Sequence, residues 1–251
     1  MVKKWPNLAK PPVVTAIFQI KFDREAVRVE DFLKCDGALK RLFPRRNENI
    51  ESSLSFSPST KIPLGKAHVS GVTDTRRVGY VYFTTDQKEK LTLSETDITY
   101  TTENSYEGWG MFKDFVLNML SIIQPVMENV TIRRTSIRFI NQFNFVVFDD
   151  PTLYFNTLIT SSKNEGNLLY PLMKYGFKLT YDIEENVYSI VNQNVEHLPD
   201  KFAYIFDIDV LNRNNLIFEI NSISDILEQL RNIKNEIFFE NVTEKTLELC
   251  N

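Results

Sequence analysis

The chain has 251 residues, a net charge of −4, and two cysteines, Cys35 and Cys250. That length suits one large domain or two small ones, and the negative charge excludes a protein that holds nucleic acid by its overall charge. Two cysteines outside a C-x-x-C pair exclude a disulfide framework and favour a cytoplasmic protein, and no apolar run approaches the ~18–20 residues of a membrane span, so no membrane contact is expected.

The first half of the chain predicts several strands followed by one long helix. Pro11 and Pro12 precede a run, 13–22, in which alternate residues are apolar, as in a strand with one buried face. The next segments are a partly helical stretch at 30–42, a strand at 50–57, and an antiparallel meander at 69–103 with a turn at 86–88. The apolar stripe at 111–127 has i, i+3, i+4 spacing and predicts an amphipathic helix.

The second half repeats this order. Its predicted elements are a strand at 131–148, a short helix at 151–160, a hairpin at 177–191, a strand at 202–211 and a long helix at 224–241. Ser224 is the candidate N-cap of that helix, and Thr243 the candidate cap of a last short one. We therefore predict an α+β fold with two similar modules, 1–128 and 129–251. Each is an antiparallel sheet packed on a long helix, and the two are fused into one core because no linker separates them.

Charged and polar side chains on the strand 131–148 are candidate functional groups. Period-two alternation places Arg134 and Arg138 together on one face of the strand, ~13 Å apart. Phe139 lies on the opposite, apolar face. Each guanidinium can face solvent, pair with a carboxylate, or contact an anion such as phosphate. Asn141 lies on the apolar face, where a buried amide must be hydrogen-bonded, so we predict that it ties down a neighbouring backbone.

Two aspartates occupy one face of the strand 202–211. Asp207 and Asp209 are ~7 Å apart there, an arrangement that requires solvation, ion pairing or a bound metal. A metal needs further oxygen ligands, for which the sequence offers Glu219 and Asp182 without placing them nearby. We predict that Arg138 pairs with Asp207 or Asp209 across the sheet.

No catalytic signature is present. His68 and His197 have no Cys, Ser or Asp partner at a recognisable spacing, and eight glycines provide no phosphate-binding loop. We therefore expect no catalytic residue, no metal site and no cofactor. Basic doublets such as Arg45-Arg46 and Arg76-Arg77 leave a local phosphate-binding patch open.

Four segments together carry a family resemblance. They are 11–22, which starts Pro-Pro-Val-Val; 137–141, Ile-Arg-Phe-Ile-Asn; 206–209, Phe-Asp-Ile-Asp; and 230–247, which contains Asn235, Phe239 and Thr243. In this order they resemble a sporadically distributed bacterial family of uncharacterised proteins of similar length. The family has Glu where Thr15 stands here, and Gly-Leu-Arg-Tyr-Ile-Asn where 136–141 stands. The resemblance implies no established activity, and the patchy distribution resembles that of mobile defence or toxin–antitoxin genes.

The sequence thus predicts a non-catalytic binding or regulatory protein that acts through a protein partner, and the resemblance implies a bacterial defence or toxin–antitoxin type system. Two alternatives stay open. One is a metal-dependent phosphate-ester or nucleotide enzyme that uses Asp207, Asp209 and Glu219 with Mg²⁺. The other is a nucleic-acid binder with local basic patches. A nucleotide or phosphate ligand and a homo-oligomer are also left open. The candidate ligand-binding or ion-pair residues are Arg134, Arg138, Asn141, Asp207 and Asp209.

Overall fold

A computed structural model of the chain describes residues 5, 6, 8–56, 71–146, 153–156 and 174–251. The strands in these ranges are β1 (Val13–Phe22), β2 (Arg45–Phe56), β3 (Gly71–Phe83), β4 (Glu89–Ser94), β5 (Asp97–Glu103), β6 (Thr131–Phe145), β7 (Lys174–Glu184), β8 (Val187–Leu198), β9 (Lys201–Asn212) and β10 (Leu216–Ile217). The helices are a 3₁₀ helix (Val29–Cys35), α1 (Asp36–Leu42), α2 (Trp109–Met127), α3 (Ile220–Asn241) and α4 (Glu244–Glu248).

All ten of these strands belong to one antiparallel sheet. Its order is β2-β3-β4-β5-β1-β6-β9-β8-β7, and β10 pairs with the start of β6. β1 and β6 are neighbours at the centre, with Phe18 opposite Ile137 and Ala16 opposite Phe139. Because β1 and β6 are the first strands of the two predicted modules, the modules meet by direct strand pairing.

The predicted fold class is wrong. The chain is mainly β, with one continuous sheet, and it is not a pair of halves that each pack on a long helix. The reason is that β1 pairs directly with β6, so the strands of both predicted modules form one sheet, which α2 and α3 cover together. The buried side chains of both regions belong to one hydrophobic cluster, so sheet and helices share a single core.

Several local predictions are confirmed and one needs correction. The turns at 86–88 and 184–186 are present, and Thr243 Oγ1 accepts a hydrogen bond from the backbone N–H of Thr246, which caps α4. Ser224 is not a cap, because α3 begins at Ile220 and buried Ile223 extends its apolar stripe toward the N-terminus. The short helix predicted at 151–160 lies mostly outside the described residues. Within it, Phe155 forms a β-bridge with Val242.

The two faces of the sheet have different characters. Phe139 on β6 and Phe206 on β9 are fully buried beneath the helices, where they contact Phe112 of α2 and Phe238 of α3. The alternate residues of the same strands, among them Arg138 and Asp207, point to the opposite face.

Among the described helices, none combines the length and the apolar composition needed to cross a membrane.

Candidate functional site

An ion pair joins β6 to β9 on the polar face of the sheet. Arg138 Nε donates to Asp207 Oδ1 at 2.8 Å, and its Nη2 donates to Oδ2 at 2.7 Å. Asn192 Nδ2, on β8, also donates to Asp207 Oδ2, at 2.9 Å. The pairing predicted for Arg138 is therefore present, and its partner is Asp207. Asp209 lies directly opposite Arg138 in the strand register but does not bond to it.

Asp209 and Arg134 complete this polar cluster. Burial raises the pKa of Asp209, while the nearby charges of Arg134 and Arg138 act in the opposite direction. Arg134 donates to the side-chain oxygen of Gln19 on β1. Two guanidinium groups and two carboxylates thus share one face, and their charges balance. This arrangement favours a structural ion-pair cluster over a site for an added anion.

The described residues give the metal-dependent alternative no support. In those ranges, no three His, Cys, Asp or Glu side chains converge to hold an ion. Glu219 lies at the start of α3, where its Oε2 accepts a hydrogen bond from Ser222. A hard divalent cation requires about six oxygen ligands, and Asp207 already accepts three hydrogen bonds from Arg138 and Asn192.

A cavity of about 740 Å³ lies on the helix-covered face. The segment that carries Trp5 and Leu8, the start of β1, and the entry to α2 around Trp109 form three of its sides. The fourth is one face of α3. The cavity also contains Asn141, so the predicted site residues are divided: Asn141 lies here, and Arg134, Arg138, Asp207 and Asp209 lie across the sheet.

Charged side chains line the α3 wall of this cavity. Glu228, Arg231 and Lys234 are spaced three residues apart and therefore lie on the same helix face. Glu228 Oε1 accepts from Trp109 Nε1 at 3.0 Å and from Lys113 Nζ at 2.8 Å. The Arg231 guanidinium lies 5.5 Å from the centroid of the Trp109 ring. Arg231 Nη1 also donates to Glu228 Oε2 at 3.4 Å, so Glu228 is engaged by three groups, and the wall carries more positive than negative charge.

Lys234 is the unusual member of this wall. Its Nζ lies 4.6 Å from the centroid of the Phe139 ring, and it forms no hydrogen bond or ion pair with any residue that the structure describes. Burial lowers the pKa of Lys234 to about 7, and the neighbouring charge of Arg231 acts in the same direction. The neutral amine of Lys234 is therefore accessible near pH 7.

Two amides in the cavity also have unused hydrogen-bonding capacity. The Asn235 side chain is 7% exposed and has no hydrogen-bond partner in the described ranges. Asn141 Nδ2 donates to the backbone oxygen of Phe206 at 2.9 Å, as the sequence predicts, but its Oδ1 has no partner there. Both amides therefore offer hydrogen-bonding groups to a molecule in the cavity.

The start of α2 adds a positive end to the same cavity. Its N-cap is Gly108, which lines the cavity at a φ of 121° and provides no capping side chain. The first turn of α2 contains no acidic residue. The positive end of the helix dipole is therefore not neutralised by the helix itself, which favours a nearby negative group.

Sequence reasoning missed the α3 wall of this site. The helix was recognised by its apolar stripe, which includes Leu227, Leu230 and Phe238, and Lys234 occupies a position on that stripe at i+4 from Leu230. A lysine at a core-facing position of an amphipathic helix was the available signal.

Comparison of the chain with protein-family models, curated proteins and solved structures finds no match. The resemblance to a bacterial family therefore stays a prediction.

Proposed function

We propose that this is a non-catalytic binding protein and that the cavity against α3 binds a small organic anion with a flat, apolar portion. The observation that carries the proposal is the Lys234 amine beside Arg231, in a cavity that also contains the Asn235 side chain. Neither Lys234 nor Asn235 has a hydrogen-bond or ion-pair partner among the described residues. The regulatory role through a protein partner is proposed because the sequence carries no catalytic signature, and its place in a defence system is proposed from the family resemblance.

The unpaired polar groups explain why an anion is favoured. An ammonium group that is taken out of water without a counter-ion is strongly disfavoured, and a bound carboxylate or phosphate would provide that counter-ion. Arg231 offers a planar fork that can hold two oxygens of such a group. Asn235 and Asn141 can bond to polar atoms elsewhere on the ligand.

The aromatic side chains on the other walls of the cavity are the reason for proposing a ligand with a flat, apolar portion. Trp109 and Phe239 line the cavity together with Tyr106, and aromatic faces bind planar rings by stacking. The volume lies within the ~300–1,000 Å³ range of small-molecule sites. A nucleotide or an aromatic carboxylate combines both features.

Calorimetric titration with AMP, benzoate and inorganic phosphate tests the proposal. We expect AMP or benzoate to bind, and Lys234→Met to weaken that binding at least about tenfold, or about 1.4 kcal/mol. Lys245→Met is the matched control, because Lys245 also lies 4.6 Å from an aromatic centroid, that of Tyr154, but does not line the cavity. Equal affinities in all three proteins, or binding of neither organic anion, would overturn the proposal.

A further inference from the structure

We infer that Lys234 is a reactive amine that forms an imine with the carbonyl carbon of an anionic aldehyde or ketone bound in the cavity. The inference deepens the proposed function and rests on it, since the carbonyl compound must first occupy the same site. It narrows the ligand class from organic anions to those that carry a carbonyl group beside the anionic group.

The surroundings of Lys234 differ from those of the ion-paired lysines in the described ranges. Lys113, Lys34 and Lys40 each lie within 2.9 Å of a carboxylate oxygen, which stabilises their charged form. Lys234 lies over the Phe139 ring, a contact that itself favours the ammonium form, but in the described ranges no carboxylate contacts it, and Arg231 is one helical turn away. Desolvation next to another cation is one of the established ways in which proteins activate lysine as a nucleophile.

The charges around the amine support the same conclusion. Arg231 is the neighbour whose charge disfavours the protonated amine. Glu228, earlier on the same helix, is bonded to Trp109, Lys113 and Arg231. On the facing segment, burial raises the pKa of Tyr106 to about 12, so its phenol is neutral near pH 7. Since the cavity presents no free carboxylate in the described part of the chain, a neutral Lys234 is available near pH 7.

The chemistry requires no further reactant. The neutral Nζ adds to the carbonyl carbon, and the electron pair of the C=O double bond moves to the oxygen. That oxygen takes up the proton that the nitrogen releases, which gives a carbinolamine. Loss of one water molecule then forms the C=N bond, so amine plus carbonyl gives imine plus water. Arg231 is placed to hold the anionic group, and Asn235 to hydrogen-bond the oxygen that leaves.

Pyridoxal 5′-phosphate is a suitable probe, because it joins a flat ring, an aldehyde and a phosphate. Pyridoxine 5′-phosphate, which has an alcohol in place of the aldehyde, is the matched compound that cannot form an imine. The protein is incubated with the aldehyde at pH 7 and reduced with borohydride, and the labelled peptides are identified by mass spectrometry. Ordinary lysines, with a pKa of about 10.4, are almost fully protonated at this pH.

We expect one reduced adduct per chain, on Lys234, that forms at least about tenfold faster than on any other lysine, as its larger neutral fraction predicts. Lys245→Met should label like the wild type. Lys234→Met should give no adduct in the cavity. Titration of both compounds against this variant measures the affinity that remains. Circular dichroism verifies that each variant is folded.

The outcomes separate the two proposals. If both compounds bind in a Lys234-dependent way but no adduct forms on Lys234, the imine inference is overturned and the binding site stands. Labels spread over exposed lysines and unchanged by Lys234→Met overturn it as well. If neither compound binds, and AMP and benzoate also fail to bind, the proposed function itself is refuted.

Discussion

Replacing Arg138 by methionine tests the ion pair on the polar face of the sheet. Methionine keeps most of the length of the side chain and removes the guanidinium, so it isolates the charge from the packing of the stem. The Asp207 carboxylate then loses two charge-assisted hydrogen bonds and keeps the one from Asn192 Nδ2.

The burial of the two partners sets the magnitude. Breaking a fully buried ion pair costs ~3–5 kcal/mol, whereas an exposed pair contributes ~0–1 kcal/mol. The Asp207 side chain is 6% exposed and that of Arg138 is 42% exposed. Because water can enter where the guanidinium was, and Asn192 remains, we expect Arg138→Met to lower the free energy of unfolding by about 2 kcal/mol.

Because Arg138 is more exposed than Asp207, replacing Asp207 should lower the free energy of unfolding by less than replacing Arg138. Asp207→Asn leaves Arg138 partly hydrated and still able to bond to the amide oxygen, so we expect a loss of about 1 kcal/mol. Urea denaturation of both single variants and the double variant gives the coupling energy, which should be close to 1 kcal/mol in a cycle of contacting residues. A loss below about 0.5 kcal/mol for Arg138→Met, within the range of ordinary surface substitutions, would refute this reasoning. So would a larger loss for Asp207→Asn than for Arg138→Met.

Three further predictions concern single positions. Burial raises the pKa of Asp209, so Asp209→Asn should be more stable than the wild type at pH 7. This advantage, measured by urea denaturation, should be lost as the pH falls from that raised pKa to below the ordinary pKa of an aspartate. Gly79→Ala should lower the melting temperature, because the added Cβ would lie 2.3 Å from the Leu93 carbonyl oxygen. Gly110→Ala is the control and should not lower the melting temperature, because the space around its Cβ is open. With the pKa of Lys234 lowered to about 7, the unfolded chain binds more protons above pH 7, so wild-type stability should rise relative to that of Lys234→Met between pH 7 and 9; parallel curves would contradict this.

Local periodicity was sufficient to predict the ion pair and the role of Asn141. Alternation along a strand assigns each side chain to a face, and that assignment holds whichever strand lies next to it. Arg138 and Asp207 were therefore expected on one face, and Asn141 on the other. Which aspartate pairs with Arg138 depends on side-chain direction, since Asp209 and not Asp207 lies opposite it in the register.

The arrangement of the sheet could not be predicted in the same way. The pairing of β1 with β6 joins segments more than a hundred residues apart, and no turn between them fixes their register. Each strand carries an apolar face, and strands of this kind can form either one continuous sheet or two separate sheets. The choice of one continuous sheet depends on how α2 and α3 cover it together, which is a property of the packed core.

Charged side chains are paired with one another on the polar face of the sheet, whereas Lys234 in the cavity on its other face has no ion-pair partner among the described residues. This contrast is the reason for placing the ligand site in the cavity. On the polar face, Arg138 and Asp207 satisfy one another, so a ligand would have to displace an existing partner. In the cavity, Lys234 is held beside Arg231 without a counter-ion in the described ranges, and it remains in the folded protein because its neutral form is accessible near pH 7. A folded chain tolerates such a group only at a cost in stability, and an anionic ligand that supplies the counter-ion recovers that free energy as binding energy.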